Sequence, residues 1–171
     1  MKKELTRRSF LKLAGVGALA VAMSGSLTGC DVIDNLKDMD SVSAAIGDVK
    51  FMLSASVWVN NGSNGISYQP TCEIRNNSKK AVTYGGIGSN CEVIITGVLT
   101  DKNGKEYPMT YVGENGSAPA GEKYEVKDFK LVAVGKGLYM EGCKVVTTFA
   151  YNGKKAVFTD CDGGDFTSKV E

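Results

Sequence analysis

Short runs of alternating apolar and polar residues fill the chain from Val49 onward, and two Asn-Gly pairs separate runs of this kind. The pairs are Asn103-Gly104 and Asn152-Gly153. Both residue types tolerate a positive φ, so Asn-Gly between alternating runs is a strong signal for a β-hairpin. The runs recur about every ten residues without a helical period between them, which is typical of an antiparallel β-sandwich. We therefore expect an all-β fold.

The first of these runs, VKFMLSASVWVNN, predicts a long strand. Its alternation places five residues on one face, namely Phe51, Leu53, Ala55, Val57 and Val59. Met52 and Trp58 are expected on the other face. In the following run Pro70 lacks a backbone N–H, which predicts an edge position or a β-bulge there.

The first thirty residues have a different character. A charged start is followed by an uncharged run from Leu13 to Gly29 that contains several glycines. A membrane-spanning helix needs about 20 predominantly apolar residues, and this run is shorter and diluted with Gly, Ser and Thr. The pattern is typical of a targeting segment that is removed from the mature protein.

Residues 6–12 read TRRSFLK and resemble the twin-arginine export signal of bacteria. The resemblance is carried by Arg7, Arg8, Phe10 and Leu11. It implies export of the chain from the cytoplasm.

Leu27, Thr28, Gly29 and Cys30 resemble the bacterial lipobox, in which a peptidase cleaves before a cysteine that carries diacylglycerol. The resemblance implies that Cys30 becomes the lipidated first residue of the mature protein. Two or three acyl chains anchor a protein stably, whereas one chain does so only marginally. We therefore expect a protein attached to the extracytoplasmic face of the cell membrane through its lipid.

These motifs predict a signal peptide over residues 1–29, a lipidated tether over 30–47 and one domain over 48–171. The whole chain has 20 Lys plus Arg and 19 Asp plus Glu. Removal of the signal peptide leaves 15 and 18 of these, a net charge of −3. No basic field remains that would bind nucleic acid.

Four cysteines remain in the predicted domain: Cys72, Cys91, Cys143 and Cys161. An even number in an exported chain favours two disulfides. A three-residue loop in AYNGK would place Cys143 opposite Cys161 across a hairpin, which leaves Cys72 for Cys91. A bridge from Cys72 to Cys143 is the alternative, and spacing alone leaves both open. A metal site is disfavoured because the chain has no histidine and no closely spaced cysteine pair, and no cofactor is expected.

The order NNSKKAVTY, VLTDKNGKEY, APAGEKYEVKDFKL and VTTFAYNGK resembles the immunoglobulin-like domains of bacterial surface lipoproteins. The resemblance spans residues 48–160 and rests on turn motifs. It implies an immunoglobulin-like β-sandwich of about seven strands, and a role in binding or scaffolding.

Without histidine, the usual serine and cysteine triads lose their base, so we expect no enzymatic activity. The expected function is a non-catalytic binding or accessory module for an envelope protein or glycan. One alternative is an immunoglobulin-like protease inhibitor. Another is a small calcium-dependent enzyme that uses Asp160, Asp162 and Asp165, which resemble a fragment of a calcium loop. A ligand would meet the glycine-rich loops at 60–65, 84–90 and 112–121.

Overall fold

The computed structural model describes residues 41–60 and 64–171, which form twelve β-strands. In chain order the strands are β1 Val42–Ile46, β2 Val49–Asn60, β3 Gly65–Asn76, β4 Val82–Gly86, β5 Val93–Thr100, β6 Glu106–Tyr111, β7 Gly116–Ala118, β8 Glu122–Val126, β9 Leu131–Val134, β10 Lys144–Tyr151, β11 Lys154–Cys161 and β12 Phe166–Val170. Within these residues no helix is long and apolar enough to span a membrane.

The main path of the sheet runs β1-β2-β3-β9-β6-β5-β10-β11-β12. Pairing is antiparallel except between β4 and β5. β8 extends the sheet beside β3, and β7 pairs with β4. The two ends of the path lie together, where Ser168 Oγ donates a hydrogen bond to the Ser43 carbonyl oxygen over 2.9 Å. The sheet therefore curls until it is nearly a barrel, as a right-handed twist allows.

The all-β, antiparallel class predicted from the sequence is confirmed, but the number of strands is twelve rather than about seven. Six strands, namely β1, β4, β7, β8, β9 and β12, have only three to five residues. Alternation over so few residues is too short to give a clear periodic signal. One of them, β1, lies within residues 30–47, so part of the predicted tether belongs to the sheet.

An aromatic cluster centred on Phe149 fills the middle of the body. Its ring lies 4.9 Å from that of Phe51, 5.5 Å from Phe158 and 6.1 Å from Phe129, measured between centroids. Phe51 comes from β2, while Phe149 and Phe158 come from β10 and β11. Because aromatic rings bury large areas and favour offset or edge-on contacts, this cluster joins strands that are far apart in the sequence.

Both predicted Asn-Gly hairpins are confirmed. Asn152 and Gly153 have φ angles of 48° and 74°, and Tyr151 pairs directly with Lys154. These values indicate a two-residue type I′ turn. The expected three-residue loop in AYNGK is therefore wrong, and the pairing of β10 with β11 differs by one residue from the expected register.

A β-bulge interrupts the pairing of β2 with β3. Ser54 pairs with Thr71 and Val57 with Gln69, so Ala55 and Ser56 both lie opposite Pro70. The position agrees with the prediction of a bulge or an edge at Pro70, because proline cannot donate to the ladder. Ala55 adopts a φ of 46°, a left-handed conformation that is uncommon for a residue with a side chain.

The bulge reverses the two faces of β2, since an extra residue shifts an alternating pattern by one. Before the bulge Phe51 and Leu53 are buried, and beyond it Ser56 and Trp58 turn inward. Val57 and Val59 are 56% and 39% exposed. The prediction that they share a face with Phe51 and Leu53 is therefore wrong.

Replacement of Ala55 by Gly should stabilise the protein by about 0.5 kcal/mol. An alanine in the left-handed region costs ~1–2 kcal/mol, and the greater freedom of glycine in the unfolded chain offsets part of the gain. Urea unfolding of the purified protein measures the change. The matched control is Ala45→Gly, at an exposed position of β1, which should destabilise. A loss of stability in A55G equal to that in A45G would contradict the strained bulge.

Candidate functional site

The residues predicted for export and lipid attachment lie outside the described part of the chain. They are Arg7, Arg8, Phe10, Leu11, Leu27, Thr28, Gly29 and Cys30. Their roles stay predictions. The described chain starts at Ser41, immediately before β1.

The four domain cysteines, Cys72, Cys91, Cys143 and Cys161, are free thiols, so the two predicted disulfides are absent from this structure. The expected opposition of Cys143 and Cys161 is wrong because Cys161 pairs with Lys144. A shift of one residue places two side chains of neighbouring strands on opposite faces of the sheet. Cys143 accordingly lies in the core at 2% exposure, whereas Cys161 is half-buried on the other face.

The two buried thiols, those of Cys72 and Cys143, are poorly reactive. Burial, reinforced by the nearby Glu73 and Glu125, raises the pKa of the Cys72 thiol well above its ordinary value. Burial likewise raises the pKa of Cys143, whose Sγ donates to the Tyr139 carbonyl oxygen over 2.9 Å. Only a thiolate is a good nucleophile or metal ligand, so both side chains are inert at neutral pH.

The aspartates of the predicted calcium loop do not act as a group. Asp160 is 1% exposed, and its Oδ2 accepts a hydrogen bond of 2.5 Å from Ser56 Oγ. Asp162 Oδ2 instead accepts from the Gly142 N–H over 3.2 Å. Across residues 41–60 and 64–171 no group of three or more Asp, Glu, Cys or His could hold a metal ion. Both carboxylates therefore have structural hydrogen bonds of their own.

The glycine-rich loop at 112–121 packs closely against tyrosines. The ring of Tyr84 occupies the space that a Cβ on Gly116 would need, and Tyr111 does the same at Gly113. Tyr111 Oη donates to the Glu114 carbonyl oxygen over 3.0 Å, which ties its loop to the core. Glycine serves close packing at these positions rather than an open binding loop.

Burial also raises the pKa of these tyrosines. It raises that of Tyr111 to about 12. For Tyr84, burial and then a hydrogen bond with Tyr124 raise the pKa. Both phenols therefore stay neutral in the physiological range, as expected for hydroxyls that hold the structure together.

A row of three cations crosses the outer face of the sheet. Lys50 on β2 pairs with Arg75 on β3, which pairs with Lys123 on β8, and all three are exposed. With Met52 and Glu73 they line a groove of about 240 Å³. We call these three residues the cation row.

The cation row is only partly neutralised within the described residues. Lys123 Nζ lies 2.6 Å from Glu73 Oε2, in the neighbouring row of side chains. Like charges directly opposite one another destabilise a sheet, and the carboxylates of Glu73 and Glu125, which pair with each other in the neighbouring row, offset part of the repulsion among the three cations. The groove suits an anionic group on a partner, and it is the strongest candidate binding surface in the described chain.

Sequence reasoning missed the cation row. Its members are separated by 25 and 48 residues, and they come together only through the register of β2, β3 and β8. Each lies at an outward position of an alternating run, which is a weak signal because most exposed strand positions are polar.

Thiol labelling of the native protein should modify Cys91 and Cys161 but not Cys72 or Cys143. Exposure decides the difference, because the first pair is half-buried and the second is 0% and 2% exposed. Mass spectrometry after reaction with iodoacetamide, with and without denaturant, measures it. All four should react in the unfolded protein. A denatured sample in which none of the four reacts would show that they form disulfides.

No protein-family model matches this sequence, and no curated protein is significantly similar to it. Among solved structures, the chain is similar to one described as the X-ray structure of Northeast Structural Genomics Consortium target SoR45. The two share 14% identity over 74% of this chain and 84% of that chain, with a TM-score of 0.38. Similarity at this level carries no argument about fold or function.

Proposed function

We propose that this protein is a lipid-anchored lipoprotein on the extracytoplasmic face of the cell membrane, whose β-body is a non-catalytic binding or accessory module. The leader motifs around Arg7, Arg8 and Cys30 support its export and anchoring. The observation that supports a binding role most directly is the cation row. It favours an anionic envelope component, either a glycan or the acidic surface of a protein.

The proposal of a non-enzymatic role rests on how the reactive groups are used. Cys72 and Cys143 are buried with raised thiol pKa values. Asp160 and Asp162 accept structural hydrogen bonds at separate places. A catalytic pair needs two groups within hydrogen-bond reach of one substrate position, and these groups do not provide one.

We also infer a relationship to the immunoglobulin-like domains of bacterial surface lipoproteins. The predicted turn motifs occur at strand connections: residues 101–105 join β5 to β6, and residues 119–121 lead into β8. β3 neighbours β8 and β9, and β5 neighbours β10. Such non-sequential neighbours are common in Greek-key sandwiches.

The lipid anchor is tested by two variants of the full-length protein in a bacterial host. Cys30→Ser removes the thiol that accepts the lipid, so metabolic labelling with palmitate should be lost and the protein should leave the membrane fraction. Arg7→Lys with Arg8→Lys should keep the uncleaved chain inside the cell. Cys91→Ser is the control and should retain the label. Palmitate labelling that survives in C30S would refute attachment at Cys30.

The binding role is tested by removing the three charges of the cation row together, as K50Q/R75Q/K123Q. The control K79Q/K154Q/K155Q removes three exposed lysines elsewhere. The lipoprotein is used to capture components from isolated envelopes at rising salt. The component retained by wild type and by the control should bind the row variant about tenfold more weakly, because several exposed charges with small individual effects act together. Equal retention by all three proteins would rule out the cation row as the binding surface.

A further inference from the structure

Three exposed valines lie at one end of the body. Val57, Val59 and Val134 are 56%, 39% and 77% exposed. Val59 pairs with Ser67, and Val134 pairs with Gly65, so the valines of β2 and β9 lie on either side of two small residues of β3. We call the three residues the valine patch.

The bulge at Ala55 and Ser56 produces this exposure. Without the extra residue, the alternation of β2 would turn Val57 and Val59 toward the core. Bulges often redirect a side chain at a functional place. Here the bulge exposes apolar, β-branched side chains to solvent near the C-terminal end of β2.

The valine patch lies on the side from which the chain enters the body. Val42 pairs with Leu53 in an antiparallel ladder, so the chain before β1 comes from the direction in which β2 continues to Val57 and Asn60. Ten residues separate Cys30 from Ser41, and they can span at most about 40 Å. That is close to the diameter of a domain of this size, roughly 36 Å. A lipid on Cys30 therefore holds the point at which the chain enters the body within about 40 Å of the bilayer.

The loop after β9 lies beside the patch and carries side chains that are common at membrane interfaces. It follows Val134 directly, and the Gly135 N–H donates to the Asn64 carbonyl oxygen over 3.1 Å. It carries the exposed Lys136 and Tyr139, the latter 71% exposed. Tyrosine is enriched at the level of lipid headgroups, and lysine can extend its amine toward them.

We propose that the valine patch inserts into the headgroup region of the bilayer that carries the lipid of Cys30. This inference rests on the lipid anchor of the proposed function. The anchor makes the second contact intramolecular, so a patch too weak to bind a membrane alone is sufficient. Two attachment points also fix the orientation of the body.

The valine patch and the cation row lie at opposite ends of β2. Lys50 and Val57 lie on the same strand, and their separation is about 20 Å at the rise of a β-strand. Lys50 is near the start of β2, and Val57 is near its end. The cation row is therefore separated from the proposed contact with the bilayer by most of the length of β2.

The test uses the lipidated, mature protein in phosphatidylcholine vesicles with plain or brominated acyl chains. Trp58 is the chain's only tryptophan, so W58F/V59W moves the fluorophore to the patch. W58F/V170W places it at an exposed position of β12, at the opposite end of the body. Brominated chains should quench emission from the V59W reporter and leave the V170W reporter unchanged. Added V57S/V134S changes should abolish the quenching while the protein still floats with the vesicles.

The outcomes separate the two proposals. Vesicle flotation of the V59W reporter without quenching overturns the membrane contact and leaves the lipid anchor intact. Failure to float overturns the lipid anchor, and the membrane contact with it. Self-association that depends on the valine patch, measured by sedimentation, would show instead that a second copy covers it. Thermal unfolding of each variant checks that the fold is retained, because Trp58 packs against the core whereas the other substitutions are at exposed positions.

Discussion

The hydrogen bond between Ser56 and Asp160 connects parts of the chain that are 104 residues apart. A buried carboxylate is costly unless a donor reaches it. Asp160 is the second-last residue of β11 and is 1% exposed. Ser56 faces Asp160 because the bulge opposite Pro70 reverses the face on which each later side chain of β2 lies. The same bulge exposes Val57 and Val59, so the hydrogen bond to a buried carboxyl group and the presentation of an apolar surface have a common cause.

The loops of this protein serve the core more than they serve recognition. Asn76 is fully buried, and its Nδ2 donates to the Lys80 and Ala118 carbonyl oxygens over 2.8 and 3.0 Å. These bonds hold the β3–β4 turn against β7, while Tyr84 and Tyr111 occupy the space left by glycines. Glycine-rich segments are commonly taken as places where a ligand binds. Here the absence of a side chain allows an aromatic ring to approach the backbone, and the candidate surfaces lie on the outer face of the sheet.

These surfaces share the strands β2 and β3. The cation row crosses them near one end, and the valine patch lies near the other. A rigid sheet keeps the two at a constant separation, whereas two loops would not. The proposed orientation of the protein on a membrane follows from this arrangement together with the short stretch of chain between Cys30 and Ser41.

The sequence by itself determined what depends on local chemistry. Asn103-Gly104 and Asn152-Gly153 predicted hairpins because both residue types accept positive φ, and Pro70 predicted a bulge because it has no N–H. Only the tertiary structure decided the register. Asn152-Gly153 forms a turn one residue shorter than expected, and this alone separates Cys143 from Cys161.

The cation row shows the same limit, since Lys50, Arg75 and Lys123 become neighbours only when three strands are aligned. The physical reason is that side chains in a strand alternate with a period of two. A single inserted residue reverses every later face, and which residues it brings together depends on partners far away in the chain, as Asp160 is for Ser56.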